Sequence, residues 1–139
     1  MSSPFGRARN PANAYRSVGV ETGVTTGSPH QLVAMLFEGF MDSIAQARGA
    51  LANGQVEAKG KAIGRAVRII EEGLKAGLDA QAGGQLAADL RDLYDYVTLR
   101  LTQANLRNDA KALEECRSLI EPLQSAWLSI GPQVTGGAK

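Results

Sequence analysis

The sequence predicts an all-α protein: an antiparallel up-down four-helix bundle preceded by a short N-terminal helix or lid segment. Three observations predict it. Beyond the first 27 residues, Ala, Leu, Glu, Lys, Arg and Gln dominate, which is helix-forming composition. Four stretches place apolar residues at every third or fourth position, the period of a helix with one buried face. Short connections rich in Gly and Asn separate those stretches, and short connections make neighbouring helices antiparallel. A chain of 139 residues is long enough for one domain with a real hydrophobic core.

Residues 1–27 read as a flexible N-terminal segment carrying one short helix. Asn10 suits a cap and Pro11 a first helical turn, so a helix over residues 11–17 is expected. So short a helix does not recover its nucleation cost in water and must dock on something or fray. Residues 18–27 then read as an extended linker containing the near-duplication VETG and VTTG.

The first long helix starts at Ser28. Ser28 as N-cap, Pro29 in the first turn and Gln31 three residues on make a capping box. Leu32, Leu36, Phe40, Ile44, Ala47 and Leu51 line one face, and a second row, Val33, Phe37 and Met41, runs beside it. That apolar arc is wider than one core-facing stripe needs. Asn53-Gly54 ends the helix. The second helix is expected over residues 56–80, with a core stripe of Ile63, Val67, Ile70, Leu74 and Leu78. Beside that stripe, Ala62, Ala66, Ile69, Gly73 and Ala76 form a low-relief strip that admits close approach of another helix. Gly83-Gly84 marks a turn. The third helix is expected over residues 85–106, with Leu86, Leu90, Leu93, Val97, Leu101 and Ala104 as its core stripe. Tyr96, Leu99 and Leu106 fall on its opposite side. Asn108-Asp109 is a turn and cap signal before a fourth helix over residues 109–129. Its stripe is Ala112, Leu113, Cys116, Leu119, Ile120, Leu123, Trp127 and Ile130, with Pro122 on the polar side predicting a kink rather than an end. Gly131-Pro132 closes the helix, and residues 131–139 read as a disordered tail.

Chemistry is scarce. A formal net charge of +1 creates no strong field toward nucleic acid or membrane. No apolar stretch approaches the ~20 residues of a transmembrane helix, and the N-terminus lacks a signal-peptide core. The single cysteine, Cys116, lies on a core stripe and excludes an intrachain disulfide. His30 is the only histidine, which excludes His-based metal sites of ordinary ligand count and the Glu-x-x-His pairs of di-iron bundles. It reads as an exposed first-turn residue. Tyr94, Asp95 and Tyr96 lack a base partner and read as packing plus a hydrogen bond. Lys59, Lys61, Arg65, Arg68 and Lys75 are interleaved with Glu57, Glu71 and Glu72, the pattern of a solvated face rather than a phosphate track. No enzyme, cofactor, metal or nucleic-acid site is therefore expected. What remains is surplus apolar surface: Phe37 and Met41 on the first helix, and Tyr96, Leu99 and Leu106 on the third. Helically spaced apolar rows of this kind mark interfaces.

Several motifs together resemble one family. They are Tyr15-x-x-Val18-x-Val20-Glu21-Thr22, then Ser28-Pro29-His30-Gln31-Leu32 running on to Gly39, then Leu93-Tyr94-Asp95-Tyr96, then Arg100-Leu101-Thr102-x-Ala104-Asn105-Leu106-Arg107-Asn108-Asp109, and finally Trp127. In this order and spacing they resemble FliS, the flagellin-specific export chaperone family, from about Tyr15 to Trp127. The resemblance implies a helical bundle in the bacterial cytosol. Its partner would be the disordered C-terminal segment of flagellin, which wraps the bundle partly as helices and is thereby kept from polymerising before export. A link to the flagellar export-gate membrane protein, made when the chaperone is loaded, is also implied, as is an N-terminal segment lying over part of the binding groove.

The residues assigned to lid and client contact are Tyr15, Val18 and Val20 in the N-terminal segment and Leu32, Met35, Leu36, Phe37, Phe40 and Met41 on the first helix. On the third helix they are Tyr96, Leu99, Arg100, Gln103, Asn105 and Leu106. The VTTG copy departs from the family pattern and lengthens the tether of the lid, which costs only tenths of a kcal/mol because loop entropy grows slowly with length. The rival reading is a homodimeric structural or regulatory bundle with no flagellin client.

Overall fold

A computed structural model describes residues 27–131. The expected short helix at 11–17, the linker, the lid residues Tyr15, Val18 and Val20, and the tail beyond residue 131 lie outside the described residues.

Helix α1 spans Pro29–Ala52 and starts as a capping box. The Gln31 backbone N–H donates to Ser28 Oγ at 3.1 Å, and the Ser28 N–H donates to Gln31 Oε1 at 3.3 Å. These two bonds satisfy donors that the first turn would otherwise leave orphaned. Asn53 and Gly54, the latter at φ +69°, reverse the chain into α2, Val56–Arg68. The second helix then departs from expectation. It continues not as α-helix but as a π-helical segment, Ile69–Lys75, followed by a two-residue turn and a separate short helix, α3, Leu78–Gln81. Ile69, Ile70, Gly73 and Leu74 are all buried, and the wider π turn gathers these two adjacent pairs onto one narrower face. Helix α4, Gly84–Arg107, ends at Asn108 in the left-handed region, φ 52°. Asp109 then caps α5, Ala110–Ile130, accepting from the Lys111 and Ala112 backbone N–H groups. Helix α5 runs through the exposed Pro122 without ending there, as the continuing apolar stripe predicts.

Every neighbouring pair is antiparallel, as named contacts show. The Arg65 guanidinium on α2 donates to Ser43 Oγ of α1 at 2.9 Å, and Leu36, earlier in α1, lies against Gly73, later in the second helix. Lys59 reaches Asn105 while Lys75 reaches Asp95, so α2 and α4 run in opposite senses. Arg48 pairs with Glu114 near the start of α5, and His30 meets Trp127 near its end. Helices α1 and α4 each pack on the second helix and on α5, so they stand diagonally across the bundle. Phe40, Ile44, Ile70, Leu74, Tyr94, Leu101, Leu113, Cys116 and Ile120 fill the space between.

The bundle is fastened at both ends by buried polar groups. At one end the His30 and Trp127 rings stack with centroids 4.9 Å apart and planes 13° off parallel. His30 Nε2 donates to the Trp127 carbonyl at 2.9 Å, and the Trp127 indole N–H donates to the His30 carbonyl at 2.9 Å. The expected exposed first-turn histidine is thus a buried clamp between the first and last helices. The orphaned carbonyl of a helix end and the indole N–H both find partners there. At the other end the buried Lys59 ammonium donates to the Asn105 carbonyl at 2.9 Å and to Asn108 Oδ1. A cation on the last carbonyls of α4 meets the negative end of that helix's dipole.

Candidate functional site

The expected α1 surface row is corrected by packing. Phe37 is only 2% exposed, and Leu36 and Phe40 are buried with it. The arc that looked too wide for one core-facing stripe is used because α1 serves two neighbours at once, the second helix, including its π segment, and α5. Only Met35, 37% exposed, and the half-buried Leu32 and Met41 remain at the α1 surface.

The α4 row behaves as expected. Tyr96, Leu99 and Leu106 are 40%, 53% and 78% exposed. They project from the side of α4 opposite Val97, Leu101 and Ala104, which are buried. Their polar neighbours are already committed within the chain. The Tyr96 hydroxyl and the Arg100 guanidinium, the latter at 2.7 Å, both bond the Glu115 carboxylate of α5. Arg100 also donates to Gln103 Oε1 at 2.6 Å. The hydrogen bond from Tyr96 and then that from Arg100 hold the Glu115 carboxyl below the usual carboxylate range, and the bond to Glu115 raises the Tyr96 phenol. This network fixes the flank of the apolar row. Asn105 plays a different part. It is half-buried, and its carbonyl serves Lys59 at the α4–α5 turn.

Because α1 and α4 are diagonal, their solvent faces point apart. Met35 therefore does not share a surface with Leu99 and Leu106. The structure gathers Tyr96, Leu99, Arg100, Gln103 and Leu106 and leaves the α1 candidates other than Met35 in or near the core.

A second apolar surface was missed. Leu86 belongs to the predicted core stripe of α4, yet it is 59% exposed, and Leu90 and Leu93 are only half-buried. On α5, Leu119 and Leu123 are also half-buried. The core stripe of α4 is fully buried in its C-terminal half, whereas Leu93 and Leu90 only partly pack on the core and Leu86 lies open, so the apolar face of the N-terminal half is incompletely covered. Periodicity alone cannot show this, since it marks which face is apolar but not whether a neighbour reaches it. The available signal was the Gly83-Gly84 pair, which starts α4 with no side-chain cap.

Nothing in these surfaces resembles a catalytic arrangement. Among the described residues no group of three or more His, Cys, Asp or Glu could hold a metal ion, and no helix is long and apolar enough to cross a membrane. Burial pushes the Cys116 thiol up to about 12, so it is protonated at neutral pH. Tyr94 is buried and its hydroxyl donates to Gln81 at 2.8 Å, the packing-plus-hydrogen-bond role expected of it.

Comparison with known proteins adds a family. The family model described as flagellar protein FliS matches residues 11–134. The flagellar secretion chaperone FliS of Salmonella typhimurium is 49% identical over 122 residues, covering 88% of this chain and 90% of that protein. The flagellar secretion chaperone FliSB of Pseudomonas aeruginosa is 41% identical over 113 residues, covering 81% and 89%. The flagellar secretion chaperone FliS of Bacillus subtilis is 33% identical over 119 residues, covering 86% and 84%.

Proposed function

This chain belongs to the FliS family of flagellar proteins, and on that premise we propose that it is a flagellar secretion chaperone, without enzymatic activity or cofactor, that works in the bacterial cytosol. Its client is the disordered C-terminal segment of flagellin. Binding keeps that segment from polymerising early and presents it to the export apparatus, where the loaded chaperone meets the membrane protein of the export gate.

The observation that carries this reading is the exposed apolar row of α4, Tyr96, Leu99 and Leu106. A large aliphatic or aromatic side chain gains about 1.5–3 kcal/mol on full burial. A few such anchors offset the roughly 2–5 kcal/mol or more that ordering a disordered segment costs. The partly exposed Leu86, Leu90 and Leu93 offer a second apolar face of the kind that pairs with the apolar face of an amphipathic helix. Tyr15, Val18 and Val20 act as a tethered lid that competes for client-binding surface at an effective concentration near ~1 mM, shielding without blocking.

Light scattering with and without a flagellin C-terminal peptide tests the reading. The expected result is a complex of one chain with one peptide. A dimer whose mass the peptide leaves unchanged supports the rival reading, a self-associating structural bundle that would use the same apolar row. Removing residues 1–19 tests the lid. Peptide binding is expected to tighten or stay the same while self-association rises, and loss of binding makes the segment a contact instead.

A further inference from the structure

The most unusual local feature of the described chain is the π-helical segment Ile69–Lys75. A π turn takes one residue more than an α turn and is rare, so it persists only where its surroundings hold it. On the inner side the hold is steric. Gly73 lets Leu36 lie against the backbone, where a Cβ would stand 2.9 Å from Leu36 Cδ2. On the side of α4 the hold is polar. Glu71 accepts from Thr98 Oγ1 at 3.0 Å, and Lys75 pairs with both Glu71 and Asp95. Just beyond, Gln81 Nε2 donates to the Leu74 carbonyl at 2.7 Å, and Gln81 Oε1 accepts from the Tyr94 hydroxyl.

All of these α4 partners lie where its covered half meets its open half. Tyr94, Asp95 and Thr98 stand next to the half-buried Leu93 and Leu90 and the exposed Leu86, the partly open apolar face of α4. The Lys75–Asp95 pair is half exposed, so its hold is of the weak, solvent-screened kind.

We propose that Ile69–Lys75 is a register switch that sets how firmly the N-terminal half of α4 is held, and so how far its apolar face, Leu86, Leu90 and Leu93, is laid open. In the closed state the π turns and the ties to α4 stand together. In the open state the extra residue passes into the turn at residues 76–77, and the segment closes up as α-helix. Lys75 then rotates away from Asp95, and Gln81 loses the Leu74 carbonyl. Residues 84–95 lose their anchors together and can move outward to admit an incoming apolar helix. What binds this face rests on the chaperone reading above, but the switch belongs to the free chain and is tested without any client.

Amide hydrogen exchange on the full free chain tests it, comparing the unaltered protein with a single-residue deletion of Glu72 and with Lys75→Gln. The unaltered chain is expected to open at residues 69–77 and 84–95 with a common protection. Deleting Glu72 removes the extra residue, so both segments are expected to exchange about tenfold more slowly in a regular α-helix with its ties intact. Lys75→Gln weakens the tie and is expected to speed exchange in both segments by the same factor, while residues 33–47 of α1 stay unchanged. The proposal is overturned if the two segments respond independently, if Lys75→Gln affects only residues next to 75 and 95, or if the Glu72 deletion loses its helical signal. A failed peptide titration would leave these outcomes untouched.

Discussion

Phe37 and Leu99 show how differently two apolar residues outside a stripe can end. Both read as surplus surface in the sequence. Phe37 is buried because α1 feeds two neighbours at once, whereas Leu99 faces solvent from the outer side of α4. Leu99→Asp is therefore expected to leave the thermal unfolding of the bundle nearly unchanged, within about 0.5 kcal/mol, while weakening peptide binding. Phe37→Ala is expected to cost about 3–5 kcal/mol through the cavity it leaves. Circular-dichroism melts of the two variants check both, and a matching loss of stability for Leu99→Asp would place that residue in the core. The Tyr96–Glu115 bond gives a pH signature. Glu115 is depressed, so its contribution is present above the unfolded carboxylate value and fades as pH falls through the folded one. Tyr96 is raised, so its contribution is present below the ordinary phenol value and fades as pH rises through the folded one. Glu115→Gln should let the Tyr96 phenol ionise at lower pH in an absorbance titration, and an unmoved curve would contradict the bond. The roles of His30, Trp127 and Lys59 were not legible at this scale. Each bonds a residue at least 46 positions away, and no local spacing encodes such a partner.

The helix starts and turns were the most legible elements, because their chemistry is local. Ser28, Pro29 and Gln31 fix the start of α1 through side chains within one turn, and Asn108-Asp109 joins a left-handed cap to an N-cap. Ser28→Ala is expected to cost about 1 kcal/mol, read as a lower melting temperature with the helical signal at low temperature retained. The LYDY and ANLRND motifs gain a physical account here. Tyr94 and Asp95 tie α4 to the second helix and the short helix after it, while Asn105 and Asn108 receive the Lys59 ammonium. The π segment was not legible, since an apolar stripe at helical spacing fits either turn. Gly73 was singled out as part of a strip permitting close approach, and Leu36 does approach it. What periodicity left out is that this approach accompanies a change of helix type. Gly73→Ala pushes a Cβ into Leu36 and is expected to destabilise the chain by about 1–3 kcal/mol in denaturant unfolding.

For the whole molecule, the all-α bundle and the antiparallel order of its helices follow from four amphipathic patterns and short connections, and the structure agrees. Among the described residues, the outer row of α4 and the apolar face of its N-terminal half stay uncovered or only partly covered. The first was visible as residues off the stripe. The second was hidden within the stripe, because only the assembled molecule shows that α5 and the second helix do not close over Leu86. On the proposed chaperone reading, the reason for a fold to leave apolar surface open is a client that arrives unfolded. Calorimetric titration of the full chain with a flagellin C-terminal peptide, repeated at several temperatures, tests that claim most directly. The account predicts binding with a large negative heat-capacity change, the mark of apolar burial and coupled folding, and a clear loss of affinity in Leu99→Asp. No heat of binding at any temperature, or equal binding by Leu99→Asp, would contradict it.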